Sequence, residues 1–381
     1  MTKRRLLVLS APFGLGHIKA GEALCQSYSD DFNGEARHVD LLRYVSPHFS
    51  RWIEEIYSLM AKHSLLIYRL CYEMSDRPGP PGKKSELLFG LDKYSALIDE
   101  FQPDAIISTH FFPAAIVSHM YPHFPIPNGM VVTDYVTHHY LVNRHTDLYF
   151  VGHCDMIDKL KLNHVDESRI RVTGIPVRSA FESDLNRTAM RRALGLMTGT
   201  FTLLVMGGGN AFGPLADIIK TLGKLKDKIQ VITVTGQNTK LFDQLKELYS
   251  EMNISGLVLG YVDNVNEYMA ASDLLISKAG GLTITEAMAT GLPMIIIQPA
   301  PGQEDGNTFF LEKTGAGIHV KRVGDLDLVV GDLIKDPSKL QEMKHHIRKT
   351  FRSNAAHNIL LEMNKLIEVR AITIRSVPLS A

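Results

Sequence analysis

The chain has 381 residues and a mass of 42.5 kDa, which exceeds what one hydrophobic core usually organises, so we expect two domains. Its share of apolar residues, 45%, and of charged residues, 22%, is typical of a folded globular protein. The 41 basic and 41 acidic residues balance, which excludes a global field for binding nucleic acid. Any attraction to an anionic surface must therefore be local.

The cysteine content and the hydropathy pattern indicate the compartment. Cys25, Cys71 and Cys154 are too few for a disulfide framework and too far apart for a metal knuckle, which favours a reducing cytosol. The apolar run at 6–9 is too short for a signal peptide, and no segment supplies about 20 continuous apolar residues. We expect a cytoplasmic protein without a transmembrane helix.

Two segments begin with the same succession of elements. Residues 5–10 are typical of a buried parallel strand that enters a glycine-containing turn, and a helical pattern follows at 20–27. The succession recurs at 200–206, with a glycine-rich loop and a helical pattern from Pro214. Two such starts, about half a chain apart, predict two Rossmann-like halves.

The remaining apolar runs extend this pattern. Nearly every run is followed by Gly, Pro or Asp and then by a helical pattern, which predicts an α/β fold with doubly wound parallel sheets. The predicted strands are 105–108, 129–133, 148–151 and 170–173 in the first half, and 230–235, 257–259, 274–277, 294–298 and 317–320 in the second.

A domain boundary is expected at Arg178, where a strand ends in a Gly-Ile-Pro-Val-Arg sequence. This predicts an N-terminal domain at 1–178 and a C-terminal domain at 179–351. The last helical pattern, 340–369, contains Asn354 midway, and we expect it to break there. The helix at about 352–370 is then predicted to pack back on the first domain.

Residues 273–293 form the block with the clearest chemistry, a strand followed by a glycine-rich turn and a helix. Gly280 and Gly281 allow a ligand to approach the backbone closely, and a helix starting near Thr283 directs N–H groups at it, which predicts a diphosphate site. Glu286 has two interpretations. It completes a capping box with Thr283, or it binds the two hydroxyls of a ribose.

At this point the chain resembles a family of two-domain glycosyltransferases. The family includes processive diacylglycerol glucosyltransferases, monogalactosyldiacylglycerol synthases and, more distantly, MurG N-acetylglucosaminyltransferases. The resemblance spans roughly residues 5–320 and rests on Ser10-Ala-Pro-Phe-Gly-Leu-Gly-His17, Val132-Thr-Asp-Tyr135 with His138, Val172-Thr-Gly-Ile-Pro-Val-Arg178, Gly207-Gly-Gly209, Thr235-Gly-Gln-Asn238, Ser277-Lys-Ala-Gly-Gly-Leu-Thr-Ile-Thr-Glu286 and Pro299-Ala-Pro-Gly-Gln-Glu304 with Asn307.

The resemblance implies a GT-B fold, in which two Rossmann-like domains face each other across a cleft, with the UDP-sugar on the C-terminal domain and the acceptor on the N-terminal one. Gln303 and Glu304 are then the ligands of the donor sugar, unless their loop is merely solvated. Tyr261 and Val262 border the uracil, although Tyr261 could be a packing residue. The full set of predicted donor-binding residues is Gly16, Gly208, Gly209, Asn210, Gly236, Gln237, Asn238, Tyr261, Val262, Lys278, Gly280, Gly281, Leu282, Thr283, Glu286, Gln303, Glu304 and Asn307.

His17 is the predicted catalytic base. It follows a Gly-x-Gly turn at the carboxyl end of a strand, and a neutral imidazole can take the proton of an attacking hydroxyl. The alternative is a histidine that only caps a helix or binds phosphate. Asp134 follows another strand and either orients His17, binds the acceptor hydroxyl, or serves as a turn residue, and His138 is the predicted acceptor residue.

A metal site is not expected. Pro122 breaks the helix that would place His119 and His123 on one face. The pair His138 and His139 has no carboxylate or cysteine cluster near it in sequence to complete a set of metal ligands. Asp325 and Asp327 match a metal-binding Asp-x-Asp pattern but are more typical of a helix N-terminus. The resemblance implies no catalytic metal, and we predict no cofactor other than the UDP-sugar co-substrate.

A membrane-facing surface is predicted between residues 43 and 84. Phe49, Trp52, Ile53, Ile56 and Met60 share one face of a helix, and this segment carries seven basic and four acidic residues. The face is either core packing or, together with the loop at 77–84, a docking surface for an anionic bilayer. The second interpretation predicts a peripheral protein on the cytoplasmic face of the cell membrane.

The predicted function is inverting transfer of a hexose from UDP-glucose or UDP-galactose to the hydroxyl of diacylglycerol or a related lipid, which makes a glyceroglycolipid. Three alternatives remain at this level: a UDP-sugar epimerase or hydrolase, a MurG-like transferase to a polyprenyl-linked acceptor, and a non-catalytic nucleotide-sugar-binding protein. No residue of the sequence distinguishes glucose from galactose.

Overall fold

The computed structural model describes residues 3–63, 89–208 and 213–376. Contacts divide the chain into two units, Met1–Ser179 with Arg352–Ala381, and Ala180–Phe351. Each unit is built on a six-stranded sheet whose paired strands are all parallel. The predicted pair of doubly wound parallel sheets is confirmed.

In the first unit strands and helices alternate along most of the chain. Its strands are β1 (Arg5–Ser10), β2 (Glu35–Asp40), β3 (Ala105–Ser108), β4 (Asn128–Val131), β5 (Leu148–Val151) and β6 (Ile170–Val172). Its described helices before the second unit are α1 (Leu15–Phe32), α2 (Leu41–Val45), α3 (Pro47–His63), α4 (Leu91–Phe101), α5 (Phe111–Met120) and α6 (Met156–Leu162).

The strand order of the first sheet is β2-β1-β3-β4-β5-β6. The chain leaves β1 for β2 on one side and then returns to β3 on the other side of β1. The order therefore reverses between β1 and β3, and ligands of open α/β sheets bind where the order reverses, beyond the carboxyl ends of the strands.

The second unit repeats this alternation. Its strands are β7 (Phe201–Met206), β8 (Ile229–Val234), β9 (Gly256–Leu259), β10 (Leu274–Ser277), β11 (Met294–Ile297) and β12 (Gly317–Val320). Its helices are α7 (Arg187–Ala193), α8 (Leu215–Leu222), α9 (Thr239–Met252), α10 (Val265–Ala271), α11 (Gly281–Ala289), α12 (Gln303–Thr314), α13 (Leu326–Lys335) and α14 (Pro337–Thr350).

The strand order of the second sheet is β12-β11-β10-β7-β8-β9, so it reverses between β7 and β10. These two strands are almost entirely apolar and buried, as expected for central parallel strands covered on both faces. They pair with Ser277 opposite Met206, which brings the loops that follow them to the same edge of the sheet.

The chain returns to the first unit through its last helix, α15 (Ala355–Ser376). Ile359, Leu360 and Met363 of this helix are buried in one cluster with Leu6 and Val8 of β1. Helix α14 ends at Thr350, so the helical pattern at 340–369 is interrupted just before Asn354, which has a left-handed φ of 57°. None of the helices in the described segments is long and apolar enough to cross a membrane.

Two local features differ from the sequence-based expectation. Strand β2 was not predicted, because Glu35, Arg37 and Asp40 interrupt its apolar pattern. Helix α1 begins at Leu15 rather than near residue 20. The chain bends at 12–14, where Gly14 has a φ of 85°, and the helix starts directly after it.

Candidate active site

His17 lies at the edge where the first sheet reverses its strand order. It belongs to the first turn of α1, not to the preceding loop as expected from the sequence. Its Nδ1 atom lies 2.7 Å from the backbone oxygen of Thr109, just beyond β3, and 2.9 Å from Oγ1 of Thr133, just beyond β4. Three strand ends therefore converge on one imidazole.

The partner of Nδ1 determines which nitrogen of neutral His17 carries the proton. A backbone carbonyl oxygen can only accept a hydrogen bond, so Nδ1 of His17 is the donor to Thr109. Nε2 then carries the lone pair. The hydroxyl of Thr109 also donates to the backbone oxygen of His17 at 2.9 Å, which fixes the first turn of α1 against β3. His17 is thus held in the tautomer that a base requires.

The charge state of His17 is set by two opposing influences. Burial lowers its pKa from 6.5, while the nearby carboxylate of Asp134 and the hydrogen bond to Thr109 raise it. Burial has the largest effect, so the imidazole is neutral at neutral pH. Asp134 acts on His17 electrostatically, and the groups that orient Nδ1 are Thr109 and Thr133.

His110 is a neighbour of His17 that the sequence analysis did not single out. Its ring meets the ring of His17 edge-on with 4.7 Å between centroids and stacks on Phe13 at 4.9 Å. Nδ1 of His110 accepts from the backbone N–H of Phe112 and caps α5. Burial and the proximity of His17 hold the pKa of His110 well below 6.5, so His110 is an uncharged residue that packs beside His17.

His138 has a structural contact in addition to its predicted acceptor role. Its Nδ1 atom accepts from the N–H of Tyr140 at 3.1 Å and caps the short 3-10 helix His139–Leu141. The ring of His138 lies 5.3 Å from the ring of Tyr140, which stacks in turn on Phe111. His138 is partly exposed at the same sheet edge as Asp134.

The predicted diphosphate residues follow β7 and β10, where the second sheet reverses its order. Helix α11 begins at Gly281 with Gly280 as its N-cap, and no side chain caps it. Thr283 and Glu286 therefore lie inside the helix, and the capping-box interpretation of Glu286 is wrong. Glu286 is partly exposed in the second turn of α11.

Two residues of α12 contact the segment between β10 and α11. Glu304 accepts from Nζ of Lys278 at 2.6 Å and from the backbone N–H of Ala300 at 2.8 Å. Asn307 donates from Nδ2 to the backbone oxygen of Ala279 at 2.9 Å. Of the predicted donor-binding residues, Glu304 and Lys278 therefore contact each other, and Asn307 contacts the backbone next to Gly280. Gln303, at the start of α12, is partly exposed.

The other predicted donor-binding positions lie mostly beyond strands of the second sheet. Gly236 turns the chain after β8 with a φ of 55°, Gln237 follows it, and Asn238 caps α9 through the N–H of Leu241. Tyr261, beyond β9, is 46% exposed, so it is not a core residue. Val262 and Thr283 are partly exposed, Leu282 is buried, Gly16 lies within α1, and Gly209 and Asn210 lie outside the described residues.

Most of the histidines and acidic residues that were considered as metal ligands contact other side chains, and His123 lies outside the helix that carries His119. His139 is 2.9 Å from Oδ1 of Asn163, and α5 ends before His123. Asp325 pairs with Arg322, and Asp327 with Lys224.

One further group lies beyond β5 and was not predicted. His153, Cys154 and Asp155 place three potential ligand atoms within 4.8 Å of one another. Since Nδ1 of His153 accepts from the N–H of Asp155, the group is also a local turn.

Comparison with known proteins identifies the family. The model of monogalactosyldiacylglycerol (MGDG) synthase matches residues 17–177, and that of the glycosyltransferase family 28 C-terminal domain matches residues 202–359. A protein named processive diacylglycerol beta-glucosyltransferase from Bacillus subtilis (strain 168) is 32% identical over 97% of this chain and 97% of its own length. The chain therefore belongs to the glycosyltransferase family of the MGDG synthases and processive diacylglycerol glucosyltransferases. A relative of the same name from Bacillus licheniformis is 31% identical over 98% of this chain and 100% of its own length.

Two solved structures share the fold of this chain. MurG of Acinetobacter baumannii superimposes with a TM-score of 0.64 at 16% identity and covers 95% of this chain and 99% of its own. Anabaena Alr3699/HepE, solved in complex with UDP-glucose, has a TM-score of 0.56 at 14% identity and covers 98% and 100% of the two chains. The fold is therefore GT-B, with two Rossmann-like domains.

Proposed function

We propose that this protein transfers a hexose from a UDP-sugar to the hydroxyl of diacylglycerol and so makes a glycolipid. The names of the two Bacillus relatives describe action on diacylglycerol, and both relatives align over nearly the whole chain. The observation within the structure that supports a transferase is His17, a neutral imidazole whose Nδ1 is bonded to a carbonyl and whose Nε2 can accept a proton.

In the proposed reaction, the acceptor hydroxyl gives its proton to Nε2 of His17 as its oxygen forms a bond to the anomeric carbon of the hexose. The bond between that carbon and the phosphate oxygen breaks, and its electron pair leaves with UDP. Attack from the face opposite the leaving group inverts the anomeric carbon, which makes a β-glycoside from an α-linked donor. The carboxylate of Asp134 stabilises the imidazolium that forms.

The order of the strands in the second sheet supports the proposed donor site. Gln303 follows β11, Gly280 follows β10, Gly208 follows β7 and Tyr261 follows β9, in the spatial order β11-β10-β7-β8-β9. This sequence of loops matches the order of hexose, diphosphate and uracil along a UDP-sugar. Glu286, in the second turn of α11, is the proposed ligand of the ribose hydroxyls.

We also propose that the reaction needs no metal or cofactor. The charge on departing UDP is stabilised by backbone N–H groups at the start of α11 and by the ammonium group of Lys278. The hexose is proposed to be glucose and the linkage β, since both Bacillus relatives are named beta-glucosyltransferases.

A lipid acceptor requires the protein to approach a membrane, and α3 offers a surface for this. Trp52, the chain's single tryptophan, is 58% exposed, and Phe49 beside it is 36% exposed with its ring 5.8 Å from that of Trp52. Ile53, on the same helix, packs against the core instead. We propose that Phe49 and Trp52 insert into the cytoplasmic face of the cell membrane. The predicted contributions of Ile56, Met60 and the loop at 77–84 lie outside the described side chains.

The test is product analysis with and without an acceptor. Purified protein is incubated with UDP-glucose or UDP-galactose, in the presence of diacylglycerol vesicles, a polyprenyl-linked acceptor, or no lipid. We expect UDP release and a hexosyl lipid only with diacylglycerol. Interconversion or hydrolysis of the UDP-sugar without a lipid is the signature of an epimerase or hydrolase, and it contradicts the proposal. UDP-sugar binding without any turnover contradicts it as well.

A further inference from the structure

One face of α12 presents two buried polar side chains to the proposed donor site. Glu304 is 8% exposed and Asn307, three positions further along the helix, is fully buried. Residues at this spacing lie on the same helix face. Both side chains contact the short segment at 278–280 that connects β10 to α11.

Both carboxylate oxygens of Glu304 bind groups of the protein itself. Oε1 pairs with the ammonium of Lys278 at 2.6 Å, and Oε2 accepts from the N–H of Ala300 at 2.8 Å. The side chains of Glu304 and Lys278 are 11% and 32% exposed, so water screens this pair less than a surface pair. Glu304 therefore ties the loop before α12 to the loop after β10.

Lys278 extends this connection to the loop after β7. A Cβ atom built at Gly208 would lie 3.2 Å from Cε of Lys278, so the lysine stem passes directly over this glycine. Gly208 also has a φ of 75°, a conformation that favours glycine. Through Lys278, Glu304 thus acts on both loops of the β7/β10 reversal.

Asn307 orients the backbone of the same segment. Its Nδ2 atom donates to the carbonyl oxygen of Ala279 at 2.9 Å. In a planar trans peptide the C=O of one residue and the N–H of the next point in opposite directions. Holding the carbonyl of Ala279 toward α12 therefore directs the N–H of Gly280 away from α12.

We propose that Glu304 and Asn307 are positioning residues that preorganise the diphosphate site, and that Glu304 acts through Lys278 rather than by contacting the hexose. This inference rests on the proposed use of a UDP-sugar. Gln303, the partly exposed residue before Glu304, keeps its assignment to the hexose. Helix α12 then has two roles. Gln303 binds the hexose, and Glu304 and Asn307 position the backbone and the lysine that bind the diphosphate.

Positioning of the diphosphate site and contact with the hexose predict different changes in the affinities for UDP and UDP-glucose, which titration calorimetry measures separately. Glu304→Gln is expected to weaken the affinity for UDP and for UDP-glucose by the same factor, about tenfold, which is the effect of losing one hydrogen bond to a charged group. Gln303→Ala is expected to weaken UDP-glucose and leave UDP unchanged. Glu312→Gln removes the same charge from an exposed position of α12 and is expected to change neither.

A double-mutant cycle with Lys278→Met tests whether Glu304 acts through the lysine. We expect Glu304→Gln to cause little further loss of UDP affinity once Lys278 is replaced, because the two residues act as a unit. Asn307→Asp, which places an acceptor against the carbonyl of Ala279, is expected to weaken both ligands equally. Thermal unfolding of every variant separates these effects from a loss of fold.

Three results would overturn the inference: normal UDP affinity with weakened UDP-glucose affinity in Glu304→Gln, additive losses in the cycle, or normal UDP affinity in Lys278→Met. The last measurement decides the matter even if Glu304→Gln does not fold, because Lys278 is partly exposed. A wild-type protein that binds neither UDP nor UDP-glucose contradicts the proposed function itself, which is a distinguishable failure.

Discussion

Nδ1 of His17 donates a hydrogen bond of 2.7 Å to the backbone carbonyl of Thr109. A carboxylate in this position would stabilise the imidazolium and raise the pKa of the histidine. A backbone carbonyl carries no net charge, so it fixes the tautomer with a smaller rise in that pKa. The charge of Asp134 acts from elsewhere. The structure thus separates the orientation of the proposed base from the stabilisation of its charge.

The contribution of Thr133 to this orientation can be measured. Its Oγ1 atom lies 2.9 Å from Nδ1 of His17, so Thr133→Val is expected to lower kcat about tenfold while UDP affinity stays unchanged. Thr137→Val is a matched control, because the buried hydroxyl of Thr137 has no hydrogen-bond partner in the described structure. Steady-state kinetics that show equal effects of the two substitutions contradict an orienting role for Thr133.

The pH dependence of transfer reports the charge interaction between Asp134 and His17. His17 must be neutral to act as base, so kcat/KM is expected to fall as the pH falls through its pKa, which lies below 6.5. Because Asp134 raises that pKa, Asp134→Asn is expected to move the acid limb to lower pH and to reduce the maximal rate. The pH–rate profiles of both proteins show this directly. An acid limb that moves to higher pH, or does not move, contradicts the assignment.

Glu286 is expected to bind the ribose of the donor. Glu286→Ala is expected to weaken UDP about 10- to 100-fold, which corresponds to the loss of hydrogen bonds to a charged group. The loss should be much smaller for 2′-deoxy-UDP, which lacks one of the two hydroxyls. Calorimetry with both nucleotides provides the comparison. An equal loss for both assigns Glu286 to a role other than the 2′-hydroxyl contact.

Membrane association is expected to depend on the exposed aromatic pair of α3. Replacing Phe49 and Trp52 by Ser removes large apolar side chains, each worth about 1.5–3 kcal/mol when fully buried, and should release the protein from vesicles. Leu162→Ser, at a 78% exposed position of α6, is the matched control. Flotation on neutral and on anionic vesicles measures the binding of these variants. It also measures the binding of the double variant Lys83→Glu with Lys84→Glu, which tests whether the loop at 77–84 attracts the protein to anionic lipid. Retention of the double Phe49/Trp52 variant on vesicles contradicts this surface.

The sequence predicted the sheets well because central parallel strands are continuous apolar runs. Strands such as β3 and β10 have the bounds expected from the sequence, whereas the charged edge strand β2 was missed. Helix starts were less accurate. Gly14 and Gly280 begin α1 and α11 without side-chain caps, so the Thr283-to-Glu286 pattern misplaced a helix start.

The motifs located the candidate site along the chain but not the contacts within it. The sequence identified His17, but not its bonds to Thr109 and Thr133, which are about 90 and 115 residues away and meet it only through strand order. The same limit applies to Glu304, whose partner Lys278 lies on the neighbouring strand's loop. Such pairs depend on tertiary structure, which a local pattern does not encode.

The most direct test of the proposed chemistry compares wild-type protein with His17→Ala for hexosyl-diacylglycerol formation from UDP-glucose, with UDP affinity measured on the same samples. We expect the wild type to form a β-linked product and His17→Ala to lose at least about 100-fold in rate, a typical contribution of a general base, while UDP affinity is unchanged. A His17→Ala protein that forms the glycolipid at nearly the wild-type rate contradicts the assignment of His17 as the base.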